Sequence, residues 1–187
     1  MEVSIKDGTG TQQEAKVDAE GRLHAFAVIE TEDRHTNKEG RTVSYYFTTT
    51  PVGAGDYFFY LKNGGDVDLT ITDIRIMCAA TETINLNGVS GTPSYTAGAD
   101  VAAINRNRGF TSSSPTATVR KDTDITGLSD DGTIFFMRCD TANKLHHLST
   151  SSNVIIPKGT AIALEAVTGT ALITAVVSVS VIDEESL

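Results

Sequence analysis

The stretch Ala171-Leu172-Ile173-Thr174-Ala175-Val176-Val177-Ser178-Val179-Ser180-Val181-Ile182 decides the fold class. Ile173, Ala175, Val177, Val179 and Val181 share one parity, and Thr174, Ser178 and Ser180 share the other. A period of two is the repeat of a pleated strand, whose successive side chains point to opposite faces, and β-branched residues suit that surface. The odd positions are expected to face a core, the even ones water or a partner. Toward the N-terminus, Val154-Ile155-Ile156 runs into Pro157-Lys158-Gly159; residues 160–167 form a second apolar run, and Thr168-Gly169-Thr170 leads into the final strand. Pro and Gly mark such corners. The C-terminal third therefore reads as a three-strand meander.

Short apolar runs separated by Gly, Asn and Asp continue through the middle of the chain. Asp56-Tyr57-Phe58-Phe59-Tyr60-Leu61-Lys62 is strand-prone, Asn63-Gly64-Gly65-Asp66 has hairpin-turn composition, and residues 69–78 read as the returning strand. Leu69 and Ile71 are odd while Ile74 and Ile76 are even, so a β-bulge near Thr72-Asp73 is needed to keep them on one face. Residues 42–49, 83–86, 117–121 and 133–137 supply further strands, roughly eight to ten in all by their spacing. The expected fold is all-β: an antiparallel β-sandwich or jelly-roll-like body over residues 37–187. It is preceded by an extended N-terminal arm and linker over residues 1–36, which closes in the polar stretch 31–40. Residues 100–109 are the one expected departure, a short surface helix with Asp100 as N-cap and Gly109 just past its end.

The 187 residues, 40% of them hydrophobic, suffice for one core plus an arm. A net charge of −9 argues against a partner bound by phosphate neutralisation, so no nucleic acid is expected. No run approaches the roughly 20 apolar residues that cross a bilayer, so no membrane association is expected either. The opening Met1-Glu2-Val3-Ser4-Ile5-Lys6 has neither a basic segment nor an apolar one, which points to synthesis in the cytoplasm. Cys78 and Cys139 each sit in an apolar run and read as buried strand thiols rather than a disulfide framework.

Signatures of catalysis are missing: Gly-x-Ser-x-Gly, His-Glu-x-x-His and the phosphate loop do not occur, and no cofactor is implied. His146 and His147 are adjacent, so a strand would point them to opposite faces. Asp122, Asp124 and Asp130, with Gly127 at the sixth position, echo a calcium loop, but Thr133 stands where a bidentate Glu belongs. Arg106 and Arg108, with Arg120-Lys121, are the basic concentrations in the middle of an acidic chain and suit acidic patches on a neighbouring subunit. Tyr45-Tyr46-Phe47 and Tyr57-Phe58-Phe59-Tyr60 offer aromatic platforms for a sugar, with Tyr45 and Tyr57 the positions to test. Consecutive aromatics in a strand alternate faces, so one of each adjacent pair belongs to the core.

At the N-terminus, Val3-Ser4-Ile5-Lys6-Asp7-Gly8-Thr9-Gly10 is followed by Ala15-Lys16-Val17-Asp18-Ala19-Glu20-Gly21-Arg22-Leu23-His24. This opening resembles that of virion structural proteins of tailed bacteriophages, where an I-x-D-G-x-G turn precedes an A-x-V-D-x-x-x-R-L segment. Residues 60–71 and Ile156-Pro157-Lys158-Gly159-Thr160 are similar to the same group. The resemblance implies a non-enzymatic assembly role, foremost a capsid decoration or cement protein. Such a protein binds the major capsid protein of the phage head and bridges shell subunits as a homo-oligomer, a trimer being favoured. Its place would be the capsid surface. On that view Val3, Ile5, Val17 and Leu23 anchor the arm by strand addition to the shell. A tail, baseplate or fibre component is the alternative within the group, and a carbohydrate-binding module the alternative outside it.

Overall fold

The computed structural model describes residues 37–109 and 115–182 together with strand residues 5–6, 14–17 and 23–24. For residues 149–153 and 182, and for those three N-terminal stretches, only the backbone is described. The chain divides into two compact units, Met1–Thr31 and Glu32–Leu187. In the first unit β1 (Ile5–Lys6), β2 (Glu14–Val17) and β3 (Leu23–His24) form an antiparallel sheet in that order.

The second unit is the β-sandwich. Its strands are β4 (Thr42–Thr49), β5 (Asp56–Asn63), β6 (Asp68–Cys78), β7 (Glu82–Tyr95), β8 (Ala99–Asp100), β9 (Ala103–Asn105) and β10 (Ala117–Lys121). They are followed by β11 (Ile125–Cys139), β12 (Leu145–Ile156), β13 (Ala161–Ala166) and β14 (Ile173–Ile182). One sheet has the order β11-β7-β13-β5-β10-β8 and the other β12-β6-β14-β4-β9. With the short strands β8, β9 and β10 set aside, β4, β6, β12 and β14 build one sheet, and β5, β7, β11 and β13 the other. All pairings are antiparallel, and the chain changes sheet at every connection except the one from β7 to β11. That order is the jelly roll, two Greek keys wrapped into a sandwich.

This topology overturns three local expectations. β12, β13 and β14 are not a meander: β12 and β14 flank β6 in one sheet, while β13 lies between β5 and β7 in the other. β5 and β6 are not a hairpin either, because residues 63–67 carry the chain from one sheet to the other. Residues 100–109 hold β9 and turns instead of a helix. Ala103, Ile104 and Asn105 pair with β4, while the Asn105 and Asn107 side chains accept bonds from the N–H groups of Asn107 and Gly109. Such Asx turns compete directly with helix formation.

The expected bulge is present. Asp73 pairs with Ser178 and Ile71 with Val179, which leaves Thr72 as the extra residue and puts Ile71 and Ile74 on the same buried face. Between the sheets, Phe59, Leu61, Ile84, Leu86, Ile162 and Leu164 meet Val43, Phe47, Ile76, Ile173, Val177 and Val179. Phe47 stacks on Phe59 at 4.8 Å. The odd positions of β14 are core, as the alternation implied. Its even positions were expected to face water or a partner, yet Ser178 and Ser180 are buried. Cross-strand hydroxyl pairs make this tolerable: Thr42 Oγ1 lies 2.9 Å from Ser180 Oγ and Ser44 Oγ 3.1 Å from Ser178 Oγ.

Candidate interaction surface

The two sides of the sandwich differ. On one side the sheets end in β8 and β9, strands of two and three residues. On the other they end in β11 and β12, of 15 and 12 residues, which approach each other. Long edge strands leave a row of backbone donors and acceptors without a ladder partner, which globular proteins normally shorten, charge or cover. Bulges at Gly127, Asp131 and Ile134 and the acidic pair Asp130-Asp131 interrupt the first part of β11. Its last part, Phe135-Phe136-Met137-Arg138-Cys139, pairs with β7 without a shift.

That uninterrupted part is also apolar. Among the described residues, four of the ten exposed large hydrophobic side chains stand on these two strands: Ile134 (43% exposed), Phe136 (71%), Leu145 (60%) and Ile155 (52%). Strand alternation explains Phe136, since Phe135 and Met137 turn inward against the core and the residue between them must point out. Phe135, Met137 and Leu148 close the gap between the sheet edges, with Ile74, Ile76, Ile84 and Leu86 behind them. Ile134 and Ile155 also line a groove of about 470 Å³, whose other walls include Lys62, Asp131, Pro157 and Ala161. Apolar side chains left exposed along an open sheet edge are a usual mark of a protein contact.

A second cluster covers the outer face of the six-stranded sheet. Tyr60, Val89, Ile125 and Ala163 are buried there, with Tyr57, Tyr95 and Leu128 packed against them. Across β5, β13 and β7 the outer rows read Tyr57, Glu165, Asn85 and then Tyr60, Ala163, Asn87. Glu165 Oε2 accepts the Asn85 and Asn87 amides at 3.0 and 2.9 Å, and Asn87 also donates to the Tyr57 hydroxyl at 3.4 Å. Burial pushes the phenols of Tyr57, Tyr60 and Tyr95 above the ordinary value. The unfolded chain ionises near pH 10 while the fold retains its phenol protons to higher pH. The unfolded state thus binds fewer protons in that window, and stability falls as pH rises through it. Ultraviolet titration of the native protein is expected to show three phenols ionising late, with unfolding setting in above about pH 10. A single wave of phenolate formation at the free-tyrosine pH would contradict this packing.

The sequence-derived candidates fall as follows. Val3 lies outside the described residues; Ile5, Val17 and Leu23 are on β1, β2 and β3, their side chains outside the description. Arg106 and Arg108 are exposed beyond β9, at the sheet edge opposite β12, so the structure does not bring them to the apolar side. Asp122, Asp124 and Asp130 do not converge. Asp130 lies within β11, and the buried Asp122 carboxylate accepts the N–H groups of Thr96, Ala97 and Thr123 at 2.6–3.2 Å, which ties the turn after β7 to β10. Among the described residues no group of three or more His, Cys, Asp or Glu side chains could hold a metal ion. Tyr45 is a core residue, and its neighbour Tyr46 is the outward one. His146 and His147 do face opposite ways, toward Asp140 and Asp73.

Sequence reasoning overlooked Phe136, Ile134, Leu145 and Ile155. The adjacent pair Phe135-Phe136 carried the signal, by the same alternation argument applied to the tyrosines. Comparison of the chain with known protein families, with curated proteins and with solved structures finds no match.

Proposed function

We propose that this chain is a non-enzymatic virion structural protein, a decoration or cement protein that binds the major capsid protein of an assembled phage head and bridges neighbouring subunits. The observation that carries the reading is the side of the sandwich where Phe136, Ile134, Leu145 and Ile155 stand exposed beside a long strand that, among the described residues, ends its sheet. A protein that must grip a lattice needs a surface of this kind. The N-terminal resemblance to tailed-phage virion proteins supports the same reading, as does a compact N-terminal unit joined to a larger body. Self-association, a trimer by preference, would multiply modest contacts into firm attachment.

The test is co-sedimentation of the purified full chain with genome-free phage shells. Phe136→Asp is expected to keep the fold, since an exposed position costs within about 0.5 kcal/mol, and to weaken binding about ten-fold or more by placing an unpaired charge in an apolar contact. Removal of residues 1–31 is expected to leave the body folded and to abolish binding, the anchors Val3, Ile5, Val17 and Leu23 being lost with them. Full binding by both variants would overturn the assignment. A body that fails to fold without residues 1–31 would make that segment part of the core.

A further inference from the structure

The two cysteines have a placement that neither the jelly roll nor the proposed function requires. Cys78 is the last residue of β6 in the five-stranded sheet, and Cys139 the last of β11 in the six-stranded sheet. Both are free, wholly buried and part of one core cluster. The link between them is local: the loop that follows Cys139 folds back so that the Asn143 N–H donates to the Cys78 carbonyl at 2.7 Å. The two thiol groups are neighbours close enough to influence each other's protonation. Glu82 pairs with Cys139 across the ladder and stands beside both thiols; its Oε1 accepts the Thr83 and Thr168 N–H groups, while its buried Oε2 has no partner.

An isolated buried cysteine is a small apolar side chain. Two neighbouring thiols at the ends of strands in facing sheets form a dithiol that can be oxidised to a cross-link. The interaction between the thiols lowers Cys139 and pushes Cys78 up, and Cys139, at the end of an edge strand, is the sulfur that a reagent reaches first. β11 is an edge strand, so its end can open by losing one ladder rather than two, which gives a small reagent a route to the sulfur.

We propose that Cys78 and Cys139 form a latent inter-sheet cross-link, which closes when the protein meets a small-molecule disulfide. The Cys139 thiolate attacks one sulfur of the reagent, forming a mixed disulfide and expelling one thiolate. The Cys78 sulfur, after losing its proton, attacks Cys139 Sγ and expels the second. Two protein thiols are oxidised by two electrons, the reagent is reduced to two thiols, and the protein loses two hydrogen atoms. The product joins the two sheets covalently beside the open β11–β12 side and closes a chain loop of roughly 60 residues, of the length at which cross-links restrict the unfolded chain strongly.

The inference is independent of the proposed function, and its test uses the full chain with oxidised glutathione as the probe. Intact mass is expected to fall by two hydrogen atoms, alkylation of the denatured product to find no thiol, and Tm to rise by about 5 °C or more. Cys78→Ser is expected to stop at a glutathione adduct and never to show the mass loss. Two thiols still free at equilibrium in an oxidising glutathione buffer would overturn the proposal. So would a stable wild-type glutathione adduct, or cross-linking only between chains.

Discussion

Asn63→Ala is expected to destabilise the body by about 3 kcal/mol, although the substitution removes no apolar surface. Asn63 ends β5 with no solvent exposure, where the chain leaves one sheet for the other. Its Nδ2 donates to the carbonyls of Val67 and Ile156, both at 2.9 Å, and its Oδ1 accepts the Gly65 N–H at 2.9 Å. Its backbone takes part as well: Asn63 N–H donates to Thr160 O, and Gly159 N–H donates to Asn63 O. One side chain therefore joins the β5–β6 crossover to the β12–β13 corner, and alanine strands buried polar groups at each. Such groups cost about 1–3 kcal/mol apiece when left unpaired. Asn63→Asp is the sharper variant, because it keeps the acceptor for Gly65 but turns an oxygen toward two carbonyls. It is expected to be at least as damaging as alanine in chemical denaturation. A well-tolerated aspartate would show that the amide donor does not hold the crossover.

Gly169→Ala is expected to cost about 3 kcal/mol or more and to lower Tm by roughly 6–12 °C. Gly169 lies in the turn from β13 to β14 with φ of 76°, a left-handed conformation that costs other L-residues about 1–2 kcal/mol. Space is the greater obstacle. A Cβ at this position would stand 2.1 Å from the Gly53 carbonyl oxygen and 2.7 Å from Ala54 N, both rigid backbone atoms. The turn or the β4–β5 connection must therefore shift. Gly159 is the control: it also has positive φ, of 79°, but open space around its Cα, so Gly159→Ala should cost only the conformational part. Equal Tm losses for the two alanines would contradict the close approach at Gly169.

Strand positions were legible because alternation is a local property. Thr42–Thr49 and Ala117–Lys121 appear at the expected residues, and the parity change between Ile71 and Ile74 located the bulge. Strand partners were not legible. Alternation says which face of a strand is buried but not which strand lies beside it, and a corner such as Pro157-Lys158-Gly159 can turn a chain within a sheet or carry it across a sandwich. The side chain that settles the β5–β6 crossover, Asn63, was read as a turn former, and its reach to Ile156 becomes visible only in three dimensions. The role of Asp122 was hidden for a related reason: it sits in an Asp-rich stretch that echoes a calcium loop, but its carboxylate accepts backbone N–H groups from the turn after β7. The helix reading at residues 100–109 took its end signals from Asp100 and Gly109 and overlooked that Asn105 and Asn107 favour turns. The exposed apolar side was half-legible, through Phe135-Phe136 alone.

The most direct measurement is electron cryo-microscopy of empty phage shells incubated with the purified protein, beside shells incubated with Phe136→Asp. The account predicts added density at symmetry-related sites of the head lattice, with the β11–β12 side of each jelly roll against the shell or a neighbouring copy. It also predicts bare or sparsely occupied shells with the variant. Bare shells with the wild-type protein, or ordered attachment with the β11–β12 side facing solvent, would contradict it.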